Sequence, residues 1–402
     1  MTTNTRRLWI VAVLLAFAGG IALRVMPLAS FTQPGFDEVL YRFYVGNVLK
    51  NGILEYPQIV DSYIEKQKTL KGSILPPLRF LYIGTSSLLC SVTGEPPLTG
   101  LRQIASLFSI LTLGVAFVFM LRLAGRGAAL AVLALMACAP TQIHMSQHAM
   151  VDGFFTFWAT LSLWLLWENL IRPSRPALLG VYAASLALMV MTKENSAFVV
   201  IAILALLVAN RWAGFGTVNR PLVLATILGP AVGVGVLITL AGGLESFFTC
   251  YILSVSKNFT LDFAIKTGDG PWYRYLVDLM LVSPIVLILA LGALFQLNRP
   301  QRPQLFVAIF IAASYLIMCN LKYGMNLRYA NMWDAPLRLL AFTQLSVLVA
   351  RFGGKRQEFW LALSVVAVCA YELRQYWILA MEFPHFYELV PETLLRALNI
   401  LK

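Results

Sequence analysis

Apolar runs of roughly 16 to 22 residues recur along almost the whole of this sequence, each near the length a helix needs to cross about 30 Å of hydrocarbon. That recurrence restricts the fold more than any other feature. Backbone groups left without partners in hydrocarbon cost several kcal/mol each, so runs of this kind fold as helices. The composition agrees: 59% of the 402 residues are hydrophobic and 12% charged, with a mean hydropathy of +0.75. A soluble fold of this size needs more polar surface. The expected class is an all-α, polytopic transmembrane protein of about eleven spans. They are placed at 8–26, 101–121, 127–143, 154–171, 177–192, 195–210, 221–241, 276–297, 304–320, 337–350 and 358–376.

The first run, LWIVAVLLAFAGGIALRVM, follows Arg6 and Arg7 and precedes Leu28-Ala29-Ser30, so a cleaved signal peptide is one reading. A retained anchor fits better, because the run is longer than a signal core and further spans come after it. The net charge of +12 comes from basic residues scattered between apolar runs, which suits orientation in a membrane and not nucleic acid. Cys90, Cys138, Cys250, Cys319 and Cys369 are odd in number and widely spaced, a pattern that makes neither a disulfide framework nor a zinc site.

Short loops rich in Lys and Arg mark the cytoplasmic side. Here they contain Arg6 and Arg7, Arg122 and Arg126, Arg172 and Arg175, Arg211 and Arg220, Arg299 and Arg302, and Arg351 with Lys355 and Arg356. The alternate segments carry nearly all the acidic residues and are expected outside, with the C-terminus. An apolar segment at 76–92 would invert every later loop if it crossed, so it is expected to lie in the interface as a helix. Residues 37–52, with Glu38 and Arg42 one turn apart, form a second interfacial candidate. The organisation is thus one transmembrane domain over 1–402, with outer loops at 27–100 and 242–275 and an amphipathic tail at 377–402.

Ionisable groups at membrane depth are costly, so those gathered at one set of helix ends are site candidates. The outer ends carry Asp37, Glu38, Arg102, His144, His148, Asp152, Lys193, Glu194, Arg274, Lys322 and Arg328. Carboxylates beside several cations suit a reaction that deprotonates a hydroxyl and releases an anionic phosphate. Structural alternatives stand beside each. Asp37 and Glu38 could cap the helix after Gly35, Arg102 and Arg328 could snorkel, and Lys193 could simply pair with Glu194. His144, His148 and Asp152 are spaced to share one face of a continuous helix and could take a metal, although a break near Gly153 is expected. The Asn258-Phe259-Thr260 sequon is a weak signal.

The order of these motifs resembles the GT-C glycosyltransferases, in particular the protein O-mannosyltransferase and bacterial aminoarabinose transferase family. The likeness runs over nearly the whole chain. It rests on the acidic pair of Gly35-Phe36-Asp37-Glu38, on Pro76-Pro77-Leu78, on Leu101-Arg102 with Ser106, and on Asp152. It continues through Thr192-Lys193, Pro271-Trp272-Tyr273, and Asn326 with Arg328 and Tyr329, succeeded by Pro336-Leu337. Where relatives often carry Arg just before the Asp152 motif, this chain has Gln147 and His148. The large soluble insertions of eukaryotic relatives are missing, which points to a bacterial inner membrane.

The resemblance implies a juxtamembrane-helix-bearing first outer loop and a donor sugar on a polyprenyl phosphate. It assigns Asp37 as general base, with Glu38 beside it. Arg102, Lys193, Arg328 and Tyr329 would hold the lipid phosphate, and Asp152, His148, Glu194, Trp272 and Tyr273 would position acceptor or sugar. Transfer would invert the anomeric centre. No cofactor is required; a divalent metal on His144, His148 and Asp152 stays open. Expected partners are the lipid-linked sugar, membrane lipids and an acceptor protein, lipid or glycan, with no nucleic acid. Two other classes compete, a secondary transporter and a non-catalytic scaffold of the same fold. The charges sit at one face and no internal repeat is evident, which disfavours the transporter.

Overall fold

The computed structural model describes residues 3–26, 34–173, 175–298, 300–382, 388–390 and 392–401. Arg299, the start of the first outer loop at 27–33 and part of the C-terminal tail lie outside the described residues. The chain opens with α1 (Thr3–Val25), then α2 (Phe36–Asn51), α3 (Tyr56–Thr69), α4 (Phe80–Thr93), α5 (Pro97–Leu123), α6 (Arg126–Ala137) and α7 (Pro140–Gln147). The middle holds α8 (Val151–Ile171), α9 (Pro176–Val190), α10 (Ser196–Ala213), α11 (Arg220–Leu240), α12 (Leu244–Asn258) and α13 (Asp262–Thr267). After these come α14 (Arg274–Val282), α15 (Pro284–Leu294), α16 (Arg302–Met318), α17 (Asp334–Phe352), α18 (Gln357–Trp377) and α19 (Glu392–Ala397). No strand occurs among the described residues.

Each expected span coincides with a helix or with a pair of helices broken at a proline. By length and apolarity alone, six described helices can cross a membrane, or seven if α6 and α7 form one span; α4, α9, α15 and α16 are shorter apolar helices. The expected helix at 76–92 is α4, of 14 residues. At 1.5 Å per residue it reaches about 21 Å, and its buried residues pack with those of α2 and α3.

Two expected spans are not straight. The one at 127–143 ends at Ala137, and α7 leaves it at 53°, because Pro140 has no N–H to continue the ladder and its ring clashes with the preceding turn. The span at 276–297 is likewise divided at Pro284 into α14 and α15. Carbonyls freed at the first break are capped by two buried arginines from distant helices. Arg338 donates Nε to Leu135 O at 3.1 Å, and Arg24 donates to Met136 O and Ala137 O at 3.0 and 3.2 Å. On the other side of the break, Asp334 accepts from Thr141 Oγ1 and Gln142 Nε2 at the first turn of α7. Cations therefore meet the negative end of α6 and an anion meets the positive end of α7.

Packing forms two bodies of buried side chains. The larger fills the bundle of long helices. The smaller joins α2, α3 and α4 to the first turns of α5 and α8 and to Cys250 of α12, making a shelf over one end of the bundle. Aromatic rings tie it together: Tyr41 stands edge-on to Tyr82 at 5.2 Å, and Tyr82 reaches Phe154 of α8 at 5.5 Å. The extended stretch before α4 has carbonyls that no helix satisfies. Tyr44 and Tyr56 donate to two of them, Leu75 O and Pro77 O, at 2.6 and 2.5 Å.

Candidate active site

The site lies where the shelf meets the bundle, at the helix ends opposite the arginine-rich turns. Glu38 and Asp37 are consecutive in the first turn of α2, so about 100° of helix rotation separates their side chains and sends them to different partners. Glu38 turns inward and is fully buried. Its carboxylate accepts from Gly35 N at 2.9 Å, Ala149 N at 2.7 Å and Arg102 Nε at 3.1 Å, with His148 Nδ1 at 3.8 Å. Burial by itself would raise its pKa, but these hydrogen bonds outweigh burial and hold it down at about 2. It caps α2 and also pairs with Arg102.

Asp37 turns the other way. Among the described residues its hydrogen-bond partner is Arg328, whose Nη1 lies 2.7 Å from Oδ2. Arg328 stands in the short 3-10 segment Leu327–Trp333 and gathers two more acids, Glu388 at 3.6 Å and Asp152 at 3.9 Å. Lys193, in the turn between α9 and α10, is buried. It donates to Asp152 Oδ1 and sits 3.9 Å above the Tyr329 ring. Burial, with Arg79 and Arg328 nearby, pushes its pKa down to about 8 despite Asp152.

Lys193 and Glu194 do not pair with each other. Glu194 is held in a two-pronged ion pair by Arg79, at 3.2 and 3.1 Å, while the third nitrogen of Arg79 donates to Tyr41 OH at 2.6 Å. Tyr41 lies one turn along α2 from Asp37, so Arg79 connects the Asp37 helix to the Lys193 turn. Nothing in the sequence singled out Arg79, although it comes directly after the Pro76-Pro77-Leu78 motif. Glu388 was missed as well: it lies in the tail read only as amphipathic.

Asp37, Asp152, Lys193, Arg328 and Tyr329 thus come together, with Glu38, Arg102, His148 and Glu194 in the layer behind them. Trp272 and Tyr273 do not join this cluster: both are largely exposed, stacked edge-to-face on one another, and Tyr315 donates to the Trp272 carbonyl. Lys322 is exposed, and Arg274 pairs loosely with Asp278 at 3.7 Å. The expected break near Gly153 falls earlier, at His148–Met150, where His148 and Met150 are extended. The His144, His148 and Asp152 stripe is therefore not one helical face. The two histidine rings lie 4.4 Å apart, while Asp152 is directed at Lys193 and Arg328. A dication at Asp152 would sit against two cations, a donor set that does not fit it, and among the described residues no group of three His, Cys, Asp or Glu side chains can hold a metal ion.

Solved membrane proteins share this overall fold. The Archaeoglobus fulgidus oligosaccharyltransferase, solved with Zn and sulfate, matches with a TM-score of 0.62 at 15% identity, over 95% of this chain and 57% of that one. AglB from the same organism, in complex with an inhibitory peptide and a dolichol-phosphate, gives 0.61 at 12% identity, over 94% and 56%. ArnT from Cupriavidus metallidurans bound to undecaprenyl phosphate gives 0.54 at 16% identity, over 100% and 76%. At such identities the likeness is one of fold, that of the GT-C membrane glycosyltransferases, and this chain spans little more than half the length of the oligosaccharyltransferases. No curated protein matches the sequence. The family model described as dolichyl-phosphate-mannose-protein mannosyltransferase matches residues 40–243, half of the chain, and the chain belongs to that family. Asp37, Glu38 and Arg328 lie outside the matched range.

Proposed function

We propose that this protein transfers a sugar from a polyprenyl-phosphate donor to an acceptor hydroxyl at the extracytoplasmic face of a bacterial inner membrane. Asp37 takes the hydroxyl proton as the acceptor oxygen attacks the anomeric carbon. The bond from that carbon to the phosphate oxygen breaks, its electron pair leaves with the lipid phosphate, and one displacement inverts the centre. Arg328 and Lys193 receive the departing phosphate, with Arg102 behind them, through charge-assisted hydrogen bonds that strengthen as negative charge develops. About eleven spans, with the arginine-rich turns in the cytoplasm, put this cluster outside. Asp152 and Glu194 orient the two cations, and His148 orients Glu38. No step is routed through a metal.

The observation that carries the reading is the contrast between the two neighbouring acids. Glu38 is saturated by donors and depressed in pKa, which makes it a poor base. Asp37 faces the Arg328 cation at 2.7 Å on the open side of the shelf. Family membership argues against a transporter. A scaffold that kept the fold would keep Glu38 and Arg79 but would not need Asp37.

The deciding experiment compares wild type with Asp37→Asn in membranes supplied with polyprenyl-phosphate sugars. Transfer should fall by about 100-fold or more while binding of polyprenyl phosphate persists. Undiminished transfer by the variant would remove Asp37 as the base, and binding without any transfer by the wild type would favour the scaffold.

A further inference from the structure

We infer that α12, in the second outer loop, is a membrane anchor whose exposed apolar face lies in the acyl chains of the bilayer and fixes the height of the shelf. The inference rests on the membrane reading alone and is independent of the transfer chemistry. The chain leaves α11, a helix long and apolar enough to cross, through Gly242 and Gly243 at φ +86° and +135°. These backbone conformations favour glycine and turn the chain sharply at the end of the span. Beyond this turn α12 presents three distinct faces.

One face packs on the shelf. Cys250 and Ser254 are buried, Ser254 O accepts from Ser73 Oγ at 3.2 Å, and Lys257 Nζ donates to Leu70 O at 2.5 Å. A second face carries Leu244, Phe248, Tyr251, Ile252, Val255 and Phe259, each between 41% and 59% exposed. Their spacing of i, i+4, i+7, i+8, i+11 and i+15 is a single helical stripe. The third face, about a quarter turn further round, holds Glu245, Thr249 and Ser256. A protein-facing side, an apolar side and a polar edge are what a helix lying in a membrane interface requires.

Continuity with α11 identifies the occupant of the apolar stripe. The outward side chains of α11, among them Val232 at 59% exposure, face hydrocarbon if α11 crosses, and the stripe begins a few residues beyond that surface. A patch of this extent is unusual on a surface facing water. Lys266, exposed in the following helix α13, carries an ammonium group that can reach phosphate headgroups. Because Ser254 and Lys257 bond to the segment between α3 and α4, the depth of α12 sets the depth of the shelf that carries Asp37.

The test places a nitroxide on the full-length protein in nanodiscs of phosphatidylcholine and phosphatidylglycerol, through Val255→Cys and, separately, Ser256→Cys, about 100° apart on the helix, with unsubstituted protein giving the background from native cysteines. Collision with oxygen reports hydrocarbon, and collision with a nickel chelate reports water. At position 255 oxygen accessibility should be high and nickel accessibility low, at a depth on the order of 5–10 Å below the phosphates, with the oxygen-to-nickel ratio several-fold higher than at position 256. Nickel accessibility at 255 equal to that at 256 would overturn the inference in favour of a solvent-facing helix. Protection from both reagents would overturn it in favour of a second copy or another protein.

Discussion

Replacing Glu38 by Gln tests the division of labour between the two acids, because the cost can be worked from the structure. The carboxylate accepts from two backbone N–H groups and from Arg102, and its pKa falls from 4.5 to about 2. At 1.36 kcal/mol for each tenfold change in proton binding, that drop is worth about 3 kcal/mol of folding stability at pH 7. The sign is that of a depressed carboxylate: the stabilisation is complete above the ordinary value and is lost as pH falls through about 2. Glutamine keeps one acceptor but turns an amide donor toward donors, so the variant should lose about 3 kcal/mol at pH 7. Near pH 3 the wild type keeps only roughly 1.5 kcal/mol of this contribution, and the gap should narrow by about half. Equilibrium unfolding of both proteins in nanodiscs at the two pH values reads this directly. A gap below about 1 kcal/mol at pH 7, or one that stays constant down to pH 3, would refute the assignment of Glu38 as a donor-saturated structural anion.

Two further expectations concern other ion pairs. Lys193, pushed down to about 8, loses its charge as pH rises through that value. Affinity for a polyprenyl-phosphate sugar, a diester that does not itself titrate there, should weaken between pH 7 and 9.5 in the wild type and stay flat in Lys193→Arg, as measured by equilibrium binding. Arg338, fully buried, spans Asp334 at 2.8 Å and Glu372 at 2.7 Å. Arg338→Leu strands both carboxylates and should cost about 3–5 kcal/mol in unfolding experiments, with part of the loss recovered on adding Glu372→Gln.

The positions of the helices were legible because hydrophobic run length and proline both act locally. Sorting loops by Lys and Arg removes 76–92 from the spans on charge alone, and the segment folds as the 14-residue helix α4. The bends were harder. Pro140 was visible, but the apolar run continues across it, and the bend is stabilised by Arg24 and Arg338, contributed from more than 100 positions away on either side. Both arginines sit inside runs read as spans or at their ends, as does Glu372 in α18. The rule that charge at membrane depth is exceptional applies to all three, but it marks a costly charge without saying whether that charge serves a site or the fold. They belong to a nearly neutral structural cluster in the bundle, whose members no spacing in the sequence connects.

Site residues were legible as residue types and not as pairs. The sequence could offer Lys193 with Glu194 because they are adjacent, yet adjacent residues in a turn diverge, and each found a partner from another part of the chain: Asp152 at a separation of 41 positions and Arg79 at 115. The same geometry explains Asp37 and Glu38. Consecutive positions at the start of a helix cannot face the same pocket, so an acidic pair there supplies one carboxylate to the shelf and one to the cluster opposite. Burial of Glu38 fixes the rotation of α2, that rotation points Asp37 at Arg328, and Tyr41 one turn further on ties the same helix through Arg79 to the turn that carries Lys193. The base and the phosphate-binding cations proposed here are thereby held by a single chain of contacts, Glu38 to α2 to Tyr41 to Arg79 to Glu194. A second acid beside Asp37 is required for that placement even though it takes no proton.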